Sequence, residues 1–138
     1  MSTLYEAIRT ALNSGEPYAR HFGIAIDEVR ANYARASMPF DERHRDAFGE
    51  LHDSAVYTLV DMVFGGVLFQ EGVKGVTLRS HAAFFGKCSL GPVIAEARGL
   101  ASCGKLATID VRVTDGTGNL IASVSMIGYT IRKKVELT

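Results

Sequence analysis

The sequence lacks tryptophan, has only two cysteines and three prolines, and carries no excess charge, because fifteen Lys and Arg balance fifteen Asp and Glu. A chain without net positive charge lacks the field that holds a nucleic-acid backbone over many phosphate contacts, so nucleic acid is not an expected partner. The two cysteines, Cys88 and Cys103, neither form a close pair nor match the spacing of metal ligands. We therefore expect small buried thiols, no disulfide and no metal site.

Long apolar runs are also absent. Asp61 interrupts the longest one, and none reaches the roughly 18 residues that a membrane-spanning helix requires. The N-terminus shows no charged segment followed by an apolar stretch and a cleavage site, so a secretion signal is not indicated. We expect a soluble, cytoplasmic protein without membrane association. The 138 residues, 47% of them hydrophobic, suffice for a single domain over residues 1–138 with a sizeable core.

Hydrophobic periodicity predicts a short helix and an antiparallel sheet on either side of a longer helix. Apolar side chains recur at helical intervals over residues 4–12, until Asn13-Ser14-Gly15 ends the pattern. The charged segment 41–45 is expected in an exposed loop, because a row of charged groups is costly to bury. Alternation and turn residues predict strands at 23–27, 33–38, 76–85, 93–102, 106–114 and 120–132.

The longer helix is predicted from Leu51 to about Glu71, with apolar residues around most of its surface. Such a helix is buried on nearly all sides. Gly65 and Gly66 within it each cost about 1 kcal/mol relative to alanine, so we expect another backbone to pack closely there. One apolar helix and an antiparallel sheet of five or six strands predict an α+β fold in which the sheet wraps the helix.

Asp61 lies in the middle of this apolar helix. A carboxylate is disfavoured there unless it is paired, hydrogen-bonded or directed into a cavity. Desolvation raises the pKa of such a group and allows it to act as a general base toward water, which makes Asp61 a candidate catalytic residue. The alternative is that Asp61 faces solvent or caps a neighbouring loop.

The start of the helix, Leu51-His52-Asp53-Ser54, is a second candidate. Its first backbone amides have no acceptor within the helix and can receive negative charge that develops on a carbonyl oxygen. Equally, Asp53 and Ser54 are ordinary residues for a helix N-terminus and stabilise the helix dipole without a ligand. A lone histidine such as His52 is more often a structural hydrogen-bonding group than a catalyst.

Helix geometry separates these two candidates. At roughly 100° and 1.5 Å per residue, the nine-residue step from His52 to Asp61 places them on opposite faces, about 13 Å apart along the axis. They cannot serve one reaction within one protomer. If both belong to one site, two subunits must contribute to it, with helices side by side, and Gly65 and Gly66 would permit such an approach.

Several segments follow the order and spacing of a known family. They are Asp46-Ala47-Phe48-Gly49-Glu50-Leu51-His52-Asp53-Ser54, Leu59-Val60-Asp61, Gly75-Val76-Thr77-Leu78, Phe84-Phe85, Gly91-Pro92-Val93 and Gly104-Lys105. The first two resemble the Asn-x-x-Gly-x-x-His-Gly-Gly…Leu-x-Asp motif of hotdog-fold thioesterases of the phenylacetate-pathway and 4-hydroxybenzoyl-CoA type. The others coincide with the strand starts and turns of that family. The resemblance covers nearly the whole chain after residue 20.

The resemblance implies a hotdog fold, in which five or six antiparallel strands wrap one long helix. It implies a hydrolase that splits acyl-CoA thioesters without a cofactor. Homodimers would join their sheets edge to edge, homotetramers are common, and the active sites would lie at the dimer interface.

The resemblance also implies roles for individual residues. Asp61 would activate or orient the attacking water, and the Thr77 hydroxyl would help to hold that water. From the other subunit, the backbone amide of Asp53 would polarise the thioester carbonyl, while His52 orients nearby groups. The positions that match substrate-binding residues are Asp46 and Ser54. For Thr77, an ordinary β-branched strand residue is the alternative.

The chain departs from the family motif at two places. His-Gly-Gly is His52-Asp53-Ser54 here, and the motif asparagine is Asp46. Carboxylates beside a developing negative charge would weaken its stabilisation, so a module that binds acyl-CoA or another acyl ligand without turnover is the second hypothesis. A hotdog dehydratase ranks last, because its pairing of histidine and acid is not found. Phosphates of coenzyme A could contact basic residues near strand ends or turns: Arg79, Lys87, Arg98 and Lys105.

Overall fold

The computed structural model describes residues 3–71 and 73–134. Over these residues, two helices and two strands precede a long central helix, and four strands follow it. The helices are α1 (Thr3–Gly15), α2 (Pro17–His21) and α3 (Asp53–Leu68), and short 3-10 turns cover Glu42–His44 and Phe69–Glu71. The strands are β1 (Ala25–Arg30), β2 (Tyr33–Met38), β3 (Val73–Phe84), β4 (Val93–Cys103), β5 (Leu106–Thr114) and β6 (Leu120–Lys134).

The six strands form one antiparallel sheet in the order β1-β2-β4-β5-β6-β3. Helix α3 packs across β2, β4 and β5, so the predicted α+β arrangement of a sheet around one central helix is confirmed. Strands β1 and β3 are the two edges of the sheet. Among the described helices, none is both long and apolar enough to cross a membrane.

Alternation along the strands places the apolar side chains against α3. In β4, Val93, Ala95 and Ala97 are buried, and their neighbours Ile94 and Glu96 are partly exposed. Small side chains allow the helix to come close to the sheet. A Cβ atom at Gly66 would lie only 2.7 Å from the Cβ of Ala34 in β2, so the lack of a side chain at this position sets the distance between helix and sheet.

The close packing expected at Gly65 and Gly66 is made within the chain itself, and neither glycine is left open to a partner helix. Gly66 contacts the strand β2 of its own chain, and a Cβ at Gly65 would lie 3.5 Å from Phe69 and 3.7 Å from Leu12. Both glycines are buried within the single chain. Sequence alone could not identify the element that approaches them, because the pattern shows that space is needed but not what occupies it.

The short helix α2 was not predicted, although Glu16-Pro17 is a typical helix start with proline in the first turn. Helix α3 begins at Asp53 and ends at Leu68, inside the predicted bounds. Strand β3 begins three residues before its predicted start, and β6 continues two residues beyond its predicted end. These extensions exist because β3 and β6 pair with each other, from Val73 with Lys134 onward.

Two predictions of exposure and burial are wrong. The charged segment 41–45 is not wholly exposed, because His44 within it has 0% of its surface accessible. Asp41 caps the 3-10 turn that brings His44 inward, and the three-residue spacing of Asp41 and His44 was the sequence evidence for that cap. Cys103 is exposed in the β4–β5 hairpin instead of buried, whereas Cys88 is half-buried, and both thiols are free.

Candidate active site

A cavity of about 270 Å³ lies beside the middle of α3 and brings Asp61 and Thr77 together. Thr77 reaches the cavity from the edge strand β3, and Asp61 from the central helix. Most of the other lining side chains are apolar, among them Leu12, Met62, Phe64, Leu68, Phe69 and Val76. The cavity therefore combines the carboxylates of Asp61 and Glu16 and the hydroxyls of Thr77, Thr58 and Tyr18 with an apolar wall.

Asp61 is exposed in the single chain, so it is not buried on all sides as the helix pattern suggested. Its face of α3, which includes Ser54 and Tyr57, is the face that the sheet leaves uncovered. Although water reaches the carboxylate, the cavity walls displace part of its hydration, and this desolvation raises the pKa of Asp61 above its ordinary value of 3.8. Asp61 thus faces a cavity, which was one of the conditions that its sequence position required.

Thr58 and Thr77 are the two threonines that line the cavity. Thr58 lies one helical turn before Asp61, and its hydroxyl donates to the carbonyl of Ser54 at 2.8 Å. Within residues 3–71 and 73–134, the Thr77 hydroxyl has no hydrogen-bond partner. Thr77 can therefore bind a water or a ligand, whereas the proton of Thr58 is already committed to the helix.

The start of α3 provides a different kind of group. His52 is the N-cap residue, and its Nδ1 accepts a hydrogen bond from the amide of Ser54 at 3.0 Å. His52 therefore caps this helix start through its side chain. The amide of Asp53 has no acceptor within the described chain and is available to a ligand. Asp53 and Ser54 are both exposed, so a ligand can reach that amide.

Asp46 lies next to this helix start, in the loop before it. Its carboxylate accepts hydrogen bonds from the amides of Phe48 at 2.8 Å and Glu50 at 3.0 Å. These bonds, and more weakly the nearby His52, lower the pKa of Asp46. Asp46 is consequently ionised near neutral pH, and at least one of its oxygens is occupied by hydrogen bonds within the loop.

The candidate residues thus fall into two groups within one chain. Asp61 and Thr77 share the cavity, whereas Asp46 and His52 lie close together at the start of α3 with Asp53 and Ser54. None of the residues at the helix start lines the cavity. One chain therefore has the Asp61 carboxylate and the Asp53 amide at separate places on α3.

Several cavity residues were not identified from the sequence, and two of them bring polar groups from outside α3 and β3. Glu16 lines the cavity from the connection between α1 and α2, and Tyr18 lines it from α2 itself. The available sequence evidence was Pro17, which marks the first turn of α2 and the change of chain direction there. Nothing in the local pattern indicates that this corner lies over Asp61.

The four basic residues considered for coenzyme A are not all at strand ends. Arg79 lies within β3, and Arg98 lies within β4, where its guanidinium is 4.7 Å from the centroid of the Tyr33 ring. Lys105 is in the β4–β5 hairpin. Lys87 forms an ion pair of 2.8 Å with Glu50, which lies in the same loop as Asp46. This ion pair connects Lys87 to the loop that precedes α3.

Comparison with known proteins finds relatives in sequence and in structure. No family model matches the chain. A presumed esterase of Saccharolobus solfataricus is 29% identical over 102 residues, which cover 72% of this chain and 68% of that protein.

The structural likenesses extend over nearly the whole chain. The PaaI protein of the phenylacetic acid degradation operon of E. coli superposes with a TM-score of 0.91 at 15% identity, covering 98% of this chain and 99% of that one. A mutant thioesterase of Pseudomonas aeruginosa has a TM-score of 0.81 at 21% identity, with 89% and 93% covered. A presumed thioesterase of Streptococcus pneumoniae, solved with coenzyme A, has a TM-score of 0.75 at 16% identity, with 85% and 99% covered.

Proposed function

The chain has the hotdog fold of these thioesterase structures, and on that basis we propose that it hydrolyses acyl-CoA thioesters to a free acid and coenzyme A. The observation that carries the proposal is the cavity that Asp61 and Thr77 both line. A carboxylate of raised pKa beside a free hydroxyl in an apolar pocket can hold and deprotonate one water. The coenzyme A bound to the Streptococcus pneumoniae protein supports the substrate class.

The proposed reaction uses the two groups of residues in turn. Asp61 takes a proton from a water held by Thr77, while the water oxygen bonds to the thioester carbon. The carbonyl oxygen becomes negative and accepts a hydrogen bond from the Asp53 amide, whose position at the helix N-terminus favours negative charge. The intermediate then breaks its carbon–sulfur bond. The leaving sulfur takes the proton from Asp61, which yields the acid, free coenzyme A and the original carboxylate.

A homodimer would bring the two groups together. The carboxylate of one protomer and the helix start of its partner would form each site, because Asp61 and Asp53 lie at separate places on one α3. The edge strand β3 supports this arrangement. It is twelve residues long, it carries Thr77, and its Val76, Leu78 and Phe84 are exposed. A long apolar edge strand favours pairing with another strand, and a second copy of β3 would cover it.

The decisive experiment measures release of free thiol from a panel of aromatic, short and long acyl-CoA thioesters. Asp61→Asn, which keeps the shape of the side chain and removes its charge, should lower kcat by about two or more orders of magnitude. Asp27→Asn is the matched control, because it removes an exposed carboxylate on β1 that does not line the cavity. Equal activity of the wild type and Asp61→Asn would contradict the proposed role of Asp61.

A second candidate function is binding of acyl-CoA without turnover. It is favoured by the carboxylates at the helix start, because Asp46 is held ionised and Asp53 is exposed beside the amide donor. Negative charge there opposes the formation of an oxyanion. A folded wild-type protein that binds coenzyme A thioesters in calorimetry and hydrolyses none of the panel would establish this alternative.

A further inference from the structure

The buried His44 connects two segments that are distant in sequence. Its Nε2 lies 2.7 Å from the carbonyl oxygen of Phe22, just after α2, and its Nδ1 accepts from the amide of Asp41 at 3.0 Å. With Nδ1 accepting from the Asp41 amide, Nε2 is the nitrogen that donates to the Phe22 carbonyl, so both ring nitrogens have a partner. A fully buried ring held at both ends has little freedom to move.

The backbone of His44 extends this link to the start of α3. Its carbonyl accepts a hydrogen bond of 2.7 Å from the amide of His52, the N-cap residue. Arg45 and Leu51 form an isolated antiparallel bridge next to this bond, and the amide of Asp46 donates to the carbonyl of Glu50 at 2.7 Å. The loop 46–50 is therefore closed at its base by His44 and His52.

The peptide after this base supplies the amide of Asp53. His52 is fixed through its own amide by His44, and its Nδ1 accepts from the amide of Ser54. The Asp53 amide has no hydrogen-bond partner in the described chain. Its direction therefore depends on how His52 and Ser54 are held. The clamp from Phe22 through His44 to His52 thus determines where the Asp53 amide points.

We infer that His44 is a positioning residue, which sets the direction of the Asp53 amide toward the substrate by anchoring the base of the loop to the end of α2. The inference rests on the proposed thioesterase function for its kinetic consequence. His44 itself is fully buried and does not line the cavity. Its effect on catalysis is therefore exerted through His52 and Asp53.

The kinetic test compares His44→Ala with Asp115→Ala. Asp115 is a good control because it is the other buried polar side chain among the described residues, has 2% of its surface accessible, and anchors the β5–β6 loop through Thr117, Asn119 and Ser89. Both variants lose buried hydrogen bonds, but only His44 is hydrogen-bonded to the start of α3. At temperatures well below either midpoint of unfolding, His44→Ala should lower kcat roughly tenfold to a hundredfold with KM changed by less than about twofold, because misplaced catalytic groups slow the chemical step.

A conservative variant separates positioning from loss of structure. In His44→Gln the side-chain amide retains a donor for the Phe22 carbonyl, so kcat should recover in part. Wild-type kcat in His44→Ala, or an equal fall in Asp115→Ala, would overturn the inference. No recovery in His44→Gln together with a large fall in its stability would also count against it.

Amide hydrogen exchange provides a readout that does not depend on activity. His44→Ala should accelerate exchange at the His52 amide, because the backbone carbonyl of residue 44 that accepts from it is no longer anchored by the side chain, while Asp115→Ala should leave this amide protected. If the wild type hydrolyses no thioester, the proposed function fails, and the exchange comparison still decides whether His44 holds the helix start. Unchanged protection of His52 in His44→Ala would reject the clamp itself.

Discussion

Thr77 at the edge of the sheet and Asp61 on the central helix line the same cavity. The hydroxyl of Thr77 has no partner within the described residues, and the pKa of Asp61 is raised by desolvation. This pairing suits a bound water, since one group can accept its proton and the other can fix its orientation.

Thr77 can be tested by separating its hydroxyl from its shape. Thr77→Val keeps the β-branched form that suits a strand and removes the hydroxyl. We expect kcat to fall about tenfold, the effect of losing one hydrogen bond of ordinary strength. Thr77→Ser, which retains the hydroxyl, should keep most of the activity. Thiol release under saturating substrate measures both, and equal rates in Thr77→Val and wild type would assign Thr77 a structural role alone.

The raised pKa of Asp61 predicts an acidic limb in the pH profile. The base is active only when ionised, so kcat should rise with pH as Asp61 loses its proton, with a midpoint above the ordinary value of 3.8. The residual activity of Asp61→Asn should not show this limb. Rates measured from acidic to neutral pH provide the test, and the same limb in both proteins would place the titrating group elsewhere.

The backbone amide and the carboxylate of Asp53 can be tested separately, because this residue occupies the first position of α3. Proline is tolerated there, and His52 before it already has the extended conformation, with φ −72° and ψ 135°, that proline requires. Asp53→Pro removes the amide donor without breaking the helix and should lower kcat by about a hundredfold. Asp53→Ala keeps the amide, removes the carboxylate and should be at least as active as the wild type. Equal activities in the two variants would exclude the amide as the hydrogen-bond donor to the oxyanion.

Shared sites predict complementation between inactive variants. In a mixed dimer of Asp53→Pro and Asp61→Asn chains, one site carries both defects and the other carries none. Random assembly from equal amounts should therefore restore about a quarter of wild-type activity, because half of the dimers are mixed and each has one intact site. Co-expression with two affinity tags, followed by thiol release, measures this restoration. Activity no greater than that of the separate variants would mean that each chain forms its own site.

The glycines of α3 give a prediction about stability alone. Gly66→Ala places a methyl group 2.7 Å from the Cβ of Ala34, so the helix must shift, and we expect a loss of about 1–3 kcal/mol. Gly65→Ala meets its nearest neighbour at 3.5 Å, and better helix propensity should leave stability unchanged or raise it by up to about 1 kcal/mol. Urea unfolding of the pair tests this difference. Equal losses of unfolding free energy in the two variants would show that contact with β2 does not set the distance between α3 and the sheet.

Local pattern in the sequence predicted the fold because its elements are long and regular. The apolar surface of α3 identified a buried helix, and alternation identified all six strands to within a few residues. The same apolar pattern made Asp61 a candidate, since a carboxylate within an apolar helix conflicts with its surroundings. The helix start was found because free amides at that position follow from backbone geometry. These features depend on residues that are neighbours along the chain.

The tertiary structure decided which distant residues meet. The pairing of β3 with β6 places Thr77 at an edge of the sheet, where it lines the same cavity as Asp61, and no spacing in the sequence encodes that arrangement. The burial of His44 against Phe22 overrides the charged character of its segment, because two hydrogen bonds satisfy the ring. Periodicity fixes the face that each element buries, but register and packing against other elements fix what that face touches.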